Sequence, residues 1–597
     1  MNIYNFYKGE CFDAYKYLGA HTEARGTMFR TYAPNASKTA LVGDFSNWKE
    51  IPMLPVGDGN FYEVFCPEAK KGMRYKFRIF DKSGNFIDHC DPYGFSSEVR
   101  PGTCSVIREL TYRFDDAKWL RSRSDCRMKP LNIYEVHLGS WKKPENGENE
   151  WYNYAEIADM LIDYVIENGF NYIEFMPLSE HPCDESWGYQ ITGFFAPTSR
   201  YGTPVQLMEL VDKCHKRGVG VIMDFVPVHF AVDHYGLTEY DGTKLYEFPS
   251  DDIGYNEWGS RNFMHSKGEV QSFLKSSANY WLEEYHFDGL RMDAVRNLIY
   301  WNGDEKRGEN LPAINFLKSM NQWLKYRYPS VILAAEDSST YPGITKPVAE
   351  GGLGFDYKWD LGWMHDTLEY FQTSPLYRSK DYHKLTFAMV YFYDERYILP
   401  LSHDEVVHGK ATILQKMHGD YEDKFPQART LYLFMAAHPG KLLNFMGNEF
   451  GQLREWDEKR QQDWDMLKYP CHDSYREFVK AVNRLYLGCS ALHYDYDPLN
   501  FEWCDCNSTD RCVYAIRRKS GAGDVLAIFN LSDWMQFDYK IEIGSMYKER
   551  LLIDSDWCSF GGSTPDAKTQ YSRTTDSLIM DIPPYSGRMF FLKKTDV

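Results

Sequence analysis

Through residue 115 the apolar positions recur mostly at every second residue. Phe29-Arg30-Thr31-Tyr32 alternates and turns at Ala33-Pro34. Tyr75-Lys76-Phe77-Arg78-Ile79-Phe80 alternates strictly, and Asp81-Lys82-Ser83-Gly84 supplies a hairpin turn. Short strands with regular turns predict a β-sandwich. The rhythm then changes. Residues 133–137 read as a strand. Ile157, Met160, Leu161, Tyr164 and Val165 share one face of a helix, with Gly169 at its C-cap. Residues 172–175 form the next strand. Thr203-Pro204 then opens a helix as N-cap and first residue, with Leu207, Leu210, Val211 and Cys214 facing inward. Strands are predicted over 219–224, 289–293, 331–336, near 355–359, over 397–402 and over 441–446, with helices at 270–286 and 312–326. Eight strand–helix units in about 320 residues predict a central TIM (β/α)8 barrel, with a long insertion at 225–268. A doubly wound open sheet also alternates strands and helices, but gives no reason for eight units. From about 495 strands return (513–518, 525–531, 588–592), predicting a second β-sandwich. The expected architecture is multidomain α/β. It comprises an N-terminal β-sandwich over 1–115, the barrel over 116–490 and a C-terminal all-β domain over 491–597.

Composition narrows the partners. The 597 residues carry a formal charge of −18, which works against a nucleic-acid partner. No apolar run approaches the ~20 residues of a membrane-spanning helix, and the first residues lack the basic and apolar regions of a signal peptide. The 13 Cys are scattered, and only Cys504 and Cys506 lie close together, so reduced thiols in a cytoplasmic protein are expected.

The candidate chemistry collects at the strand ends. The third predicted strand ends in Asp224, with His229 just beyond. The fourth ends in Arg291 and Asp293, two apart and therefore on one face. The fifth ends in Glu336, and the seventh runs into His403-Asp404. One such residue reads as an ion-paired strand cap. Seven at one end of a barrel do not, because clustered like charges oppose folding. Paired carboxylates suggest retaining glycoside chemistry: Asp293 attacks, and Glu336, on the adjacent strand, donates a proton to the leaving oxygen from about 5–5.5 Å away. Arg291 keeps Asp293 ionised. A metal reading competes through His403-Asp404-Glu405-Val406-Val407-His408, but its histidines are five apart, the Glu does not follow the first His, and Pro400 argues against a helix.

These segments resemble the α-amylase superfamily, and within it the 1,4-α-glucan (glycogen) branching enzymes. Asp224-Phe225-Val226-Pro227-Val228-His229-Phe230 is similar to the first signature, with Phe225 and Val228 where Trp and Ala are more familiar. Gly289–Val295 is similar to the second, and Ala335-Glu336-Asp337-Ser338-Ser339 to the third, with Asp337 where Glu is usual. Leu401–Lys410 resembles the branching-enzyme form of the fourth. Trp187-Gly188-Tyr189-Gln190, and Ala196-Pro197 through Gly202, resemble another branching-enzyme stretch. The resemblance implies Asp293 as nucleophile, Glu336 as acid/base and Asp404 as transition-state stabiliser. It implies that Tyr189, Asp224, His229, Arg291 and His403 line the subsite of the attacked glucose. It also implies an α-glucan substrate, transfer to a sugar 6-hydroxyl, no cofactor and no metal, and, through Gly43-Asp44-Phe45-Ser46-Asn47-Trp48 and Asp91-Pro92-Tyr93, that the sandwich over 1–115 is a carbohydrate-binding-type module. A hydrolase of the same superfamily, amylase or debranching in type, is the alternative. A non-catalytic glucan-binding scaffold is a further one, against which the intact Asp293, Glu336 and Asp404 stand. Trp48 closes a strand-turn and is expected to pack in the core of its module, while Trp258 and Trp456 are candidate sugar platforms.

Overall fold

The structure, a computed structural model, describes residues 1–145 and 150–595. The chain separates into two compact units. One is Met1–Arg123 with His137–Ile162 and Glu174–Phe355. The other is Ser124–Val136 with Asp163–Ile173 and Asp356–Val597. A closed barrel runs in chain order through β1 (Asn132–Val136), β2 (Tyr172–Phe175), β3 (Gly220–Phe225), β4 (Gly289–Met292), β5 (Ile332–Ala335), β6 (Tyr357–Trp359), β7 (Tyr397–Leu401) and β8 (Lys441–Phe445). Every residue of these strands is buried, as expected for parallel strands covered on both faces. This is why their apolar runs are continuous rather than alternating.

In the first unit, β3 and β4 pair in parallel with Asp224 opposite Arg291, and β4 and β5 with Met292 opposite Ala335. Helix α1 (Pro204–Lys216) starts as its sequence predicts: Thr203 and Gln206 close a capping box, with Pro204 first in the helix. Helix α2 (Gly268–Glu283) precedes β4, and α3 (Leu311–Arg327) precedes β5. An N-terminal segment whose packing on α2 the sequence does not reveal lies along that helix. A Cβ at Gly268 would stand 1.7 Å from the Tyr7 carbonyl oxygen, so only glycine fits there. Ser272, Lys275 and Asn279 donate to the carbonyls of Phe6, Gly9 and Phe12 at 2.8, 2.7 and 2.9 Å.

The N-terminal module has two antiparallel sheets, one built on Gly26–Tyr32 and Phe61–Cys66, the other on Lys38–Gly43 and Arg74–Phe80. The turn expected at 81–84 joins Arg74–Phe80 to Phe86–His89, with Phe80 opposite Phe86. Trp48 corrects an expectation. It is 37% exposed, because Asn47 and Trp48 both take positive φ and turn its ring out of the core.

The entry ends of β3 and β4 are held by a buried charge network. His215 on α1 lies 2.8 Å from Asp116 and 2.9 Å from Asp288, and Asp288 also accepts from the Val221 amide, Trp119 and Arg123. Burial opposes charge on the His215 ring, but Asp288 and Asp116 outweigh it and push its pKa up to about 9.

In the second unit, β7 pairs with β6 and β8, and β8 with β1. Two antiparallel sheets follow, a five-stranded one containing Val513–Arg518, Asp524–Asn530 and Ser586–Lys594 and a three-stranded one containing Gln536–Glu542 and Ser577–Ile582. Their facing side chains, including Ala515, Leu526, Ile541, Leu578 and Phe590, make one core. Among the described residues no helix is long and apolar enough to cross a membrane.

Candidate active site

The end of β4 is organised around one guanidinium. Arg291 is 1% exposed. Its Nη1 donates to both oxygens of Asp224, at 2.7 and 2.8 Å, and to Asp293 at 2.8 Å. Its Nη2 lies 3.8 Å from Glu336. Strand register explains the first contact, since Asp224 and Arg291 are paired positions, and the two-residue spacing explains the second. Burial works against the charge on Arg291. The carboxylates of Asp224, Asp293 and Glu336 overcome it and hold its pKa well above the ordinary arginine value. One guanidinium thus serves three acids in a space where an uncompensated charge would be costly.

Glu336 is tied to the chain beyond Asp293. Its Oε2 accepts the Ala294 N–H at 2.7 Å. Ala294 sits at φ 47°, a left-handed conformation that costs a non-glycine residue on the order of 1 kcal/mol. The bend turns the chain out of β4 immediately after Asp293 and brings an amide onto Glu336.

Tyr189 joins the same cluster, its hydroxyl donating to Asp224 at 2.5 Å. Trp187 and Gly188 both have positive φ, and a Cβ on Gly188 would meet the Pro177 carbonyl at 2.5 Å. The tight Trp-Gly-Tyr turn is therefore what delivers the ring. His229 lies on the short strand His229–Phe230, which pairs with Arg261–Asn262. Burial lowers its pKa to about 4, so it is neutral, and its Nδ1 has no partner among the described residues. Trp258, 45% exposed, stands 5.4 Å from the His229 ring, and Gln190 donates to the Trp258 carbonyl at 3.1 Å.

The remaining two candidates form a second cluster at the end of β7. The His403 backbone N–H donates to Glu135 Oε2 at 3.0 Å, and its Nδ1 lies 2.5 Å from Glu135 Oε1. A carboxylate there makes Nδ1 the protonated nitrogen and leaves Nε2, 3.4 Å from Asp404, facing away from Glu135. Asp404 itself is half exposed. Glu135, on β1 and 1% exposed, was not among the sequence candidates. A signal for it exists: an acid flanked by Ile133, Tyr134 and Val136 in a buried strand must have a partner. Trp456 is buried against Phe445, 5.2 Å between rings, and is not an exposed platform. His403–Val406 is a 3-10 turn, and among the described residues no group of three His, Cys, Asp or Glu could hold a metal.

A closed eight-stranded barrel whose strand ends carry this set of acids is of the α-amylase class. The chain matches carbohydrate-binding module 48 (isoamylase N-terminal domain) over residues 17–94, the alpha amylase catalytic domain over 149–252 and the alpha amylase C-terminal all-beta domain over 503–593. It is 45% identical over 579 residues to the 1,4-alpha-glucan branching enzyme GlgB of Fusobacterium nucleatum, covering 96% of this chain and 94% of that one. It is 42% identical over 616 residues to the enzyme of the same name from Aquifex aeolicus, covering 98% and 97%. The chain belongs to the 1,4-alpha-glucan branching enzyme family. A pullulanase from Anoxybacillus sp. LM18-11, solved with maltotetraose, superposes with a TM-score of 0.75 over 99% of this chain and 89% of that one; at 15% identity the likeness is one of fold.

Proposed function

We infer that the protein cleaves an α-1,4 bond in a glucan chain and transfers the freed segment to a glucose 6-hydroxyl, forming an α-1,6 branch. The observation that carries the chemistry is the Arg291 guanidinium shared between Asp224 and Asp293, with Glu336 at 3.8 Å. Next to that fixed positive charge Asp293 stays ionised, as a nucleophile must. In the first half-reaction an Asp293 oxygen attacks C1, the C1–O4 bond breaks, and Glu336 protonates O4. A glycosyl ester on Asp293 remains. In the second, Glu336, now a carboxylate, takes the proton of the acceptor 6-hydroxyl. O6 attacks C1, and the ester bond breaks with its electrons returning to Asp293. Two inversions give retention.

Asp404 is assigned to the positive charge that develops on the ring. Tyr189 is assigned to stacking on the attacked glucose, and Asp224 to holding both Tyr189 and Arg291. His229, neutral through burial, and His403 are assigned to its hydroxyls. For His403 the position of Glu135 supports this, since a carboxylate on Nδ1 fixes the tautomer and aim of the ring. No cofactor or metal enters the scheme. The 13 free cysteines support a cytoplasmic location. Incubation with linear amylose tests the function. Isoamylase-sensitive branches are expected without a matching rise in reducing ends. Reducing ends without branches would instead establish a hydrolase.

A further inference from the structure

The run His403-Asp404-Glu405-Val406-Val407-His408, set aside above as a metal motif, leads into a loop that the scheme leaves without a role. Of the four residues 408–411, three take left-handed backbone: His408 at φ 57°, Gly409 at 78° and Ala411 at 66°. Glycine adopts such angles freely. A histidine and an alanine do so only where their surroundings hold them, and backbone held in this way gathers at functional sites.

The holding groups all belong to the second unit. The Glu455 carboxylate uses both oxygens. Its Oε2 accepts the Gly409 N–H at 2.9 Å and its Oε1 the Ala411 N–H at 2.7 Å. Amides that converge on a left-handed turn form an anion-binding concavity, and here a carboxylate of the same chain fills it. The Trp456 N–H, next in sequence, donates to the Val406 carbonyl at 3.0 Å. The buried Lys416 ammonium donates to the carbonyls of Glu405 and Ala411. The segment carrying Glu455 is itself fixed, because Arg454 donates to Asp463 and to the Gln461 carbonyl, each at 2.9 Å. These anchors act on the main chain of residues 405–411, directly after Asp404. Asp404 is half exposed, so packing alone does not fix it. Its place is set by the backbone on either side: His403, whose amide Glu135 holds, and the anchored loop.

We propose that Glu455 is a positioning residue for Asp404: by clamping the loop 405–411 it holds that carboxylate where positive charge develops on the sugar ring. The proposal rests on the reading of Asp404 as the group that meets this charge. A contact made only in the transition state acts on kcat and leaves KM, and misplacing a catalytic group by about 1 Å costs up to about 100-fold. The test is branching kinetics on amylose, with urea unfolding in parallel. Glu455→Gln is expected to lower kcat roughly ten- to 100-fold, with KM within about twofold of wild type. Adding Ala411→Gly lowers the cost of the left-handed turn, so the double variant is expected to recover roughly fivefold. A residue that only packs would show no such recovery. A folded Glu455→Gln protein within twofold of wild type in kcat overturns the proposal, as does a loss that Ala411→Gly leaves untouched. Should Glu455→Gln not fold, Lys416→Met, which cuts the second anchor, decides by the same kcat criterion. Asp404→Asn tests the underlying reading. Near-wild-type branching by that variant overturns the role of Asp404 and the proposal with it, whereas an inactive Asp404→Asn beside a fully active Glu455→Gln overturns the clamp alone.

Discussion

Glu135→Gln isolates the link between β1 and the His403 ring. The substitution preserves volume and removes one charge. Glu135 now accepts two hydrogen bonds from a single residue, at 3.0 Å from the main chain and 2.5 Å from Nδ1. Glutamine has one acceptor oxygen, so its NH2 group must face either the His403 amide or the ring N–H, donor against donor. If the amide keeps the oxygen, the ring can flip its tautomer and turn a different nitrogen toward Asp404 and the sugar. A hydrogen bond to a charged group is worth about 1.5–3 kcal/mol. At 1.36 kcal/mol per decade that is roughly a ten- to 150-fold fall in kcat/KM. The assay is the loss of iodine-stained amylose with time, with urea unfolding measured in parallel. Glu135→Asp keeps the charge but is one methylene short, and it is expected to recover part of the loss. A folded Glu135→Gln protein within twofold of wild type in kcat/KM would refute the assignment of Glu135 as a positioning residue. So would an Asp variant no better than the Gln variant, because the effect would then be one of packing alone.

The nucleophile assignment predicts that Asp293→Ala abolishes transfer while glycogen binding in affinity gels survives; measurable branching by that protein would sink it. Trp258→Ala removes the exposed ring beside His229 and is expected to raise KM by about tenfold, the effect of ~1.4 kcal/mol of lost contact, with a smaller change in kcat. His215 makes a prediction about stability. Its folded pKa of about 9 lies above its ordinary 6.5, so its contribution is complete below pH 6.5 and lost as pH rises through 9. The gap between those two values corresponds to about 3 kcal/mol. The urea midpoint of wild type should therefore fall between pH 6.5 and 9. His215→Gln should be less stable at pH 6 and should lack that fall; parallel wild-type and variant profiles would contradict the network.

Much of the site is legible without coordinates, for reasons that can be assigned residue by residue. Asp224, Arg291, Asp293 and Glu336 each end a run of apolar residues, and a charge at that place stands out against the continuous burial of β3, β4 and β5. The two-residue spacing already puts Arg291 and Asp293 on one face. The pairing of Arg291 with Asp224 is a different matter. It depends on the register between β3 and β4, which no local pattern specifies. Glu135 reads locally as one more residue of a strand, and its partner lies 268 positions further along the chain. Trp48 shows the opposite failure. An aromatic residue after a strand suggests the core, yet two consecutive positive φ angles turn it outward.

The sequence by itself determined the periodicities, hence the barrel between two β domains, and it determined which residue types stand at the strand ends. Both follow from short-range rules: side-chain direction repeats every two or 3.6 residues, and a charge next to an apolar run demands compensation. Tertiary structure alone decided the partners. It shared Arg291 among three acids, placed Glu135 behind His403, laid the N-terminal segment along α2, and closed the Glu455 carboxylate on the amides of Gly409 and Ala411. Those contacts depend on register and loop path, and the free energy that selects them is spread over the whole packed core rather than written in any one stretch.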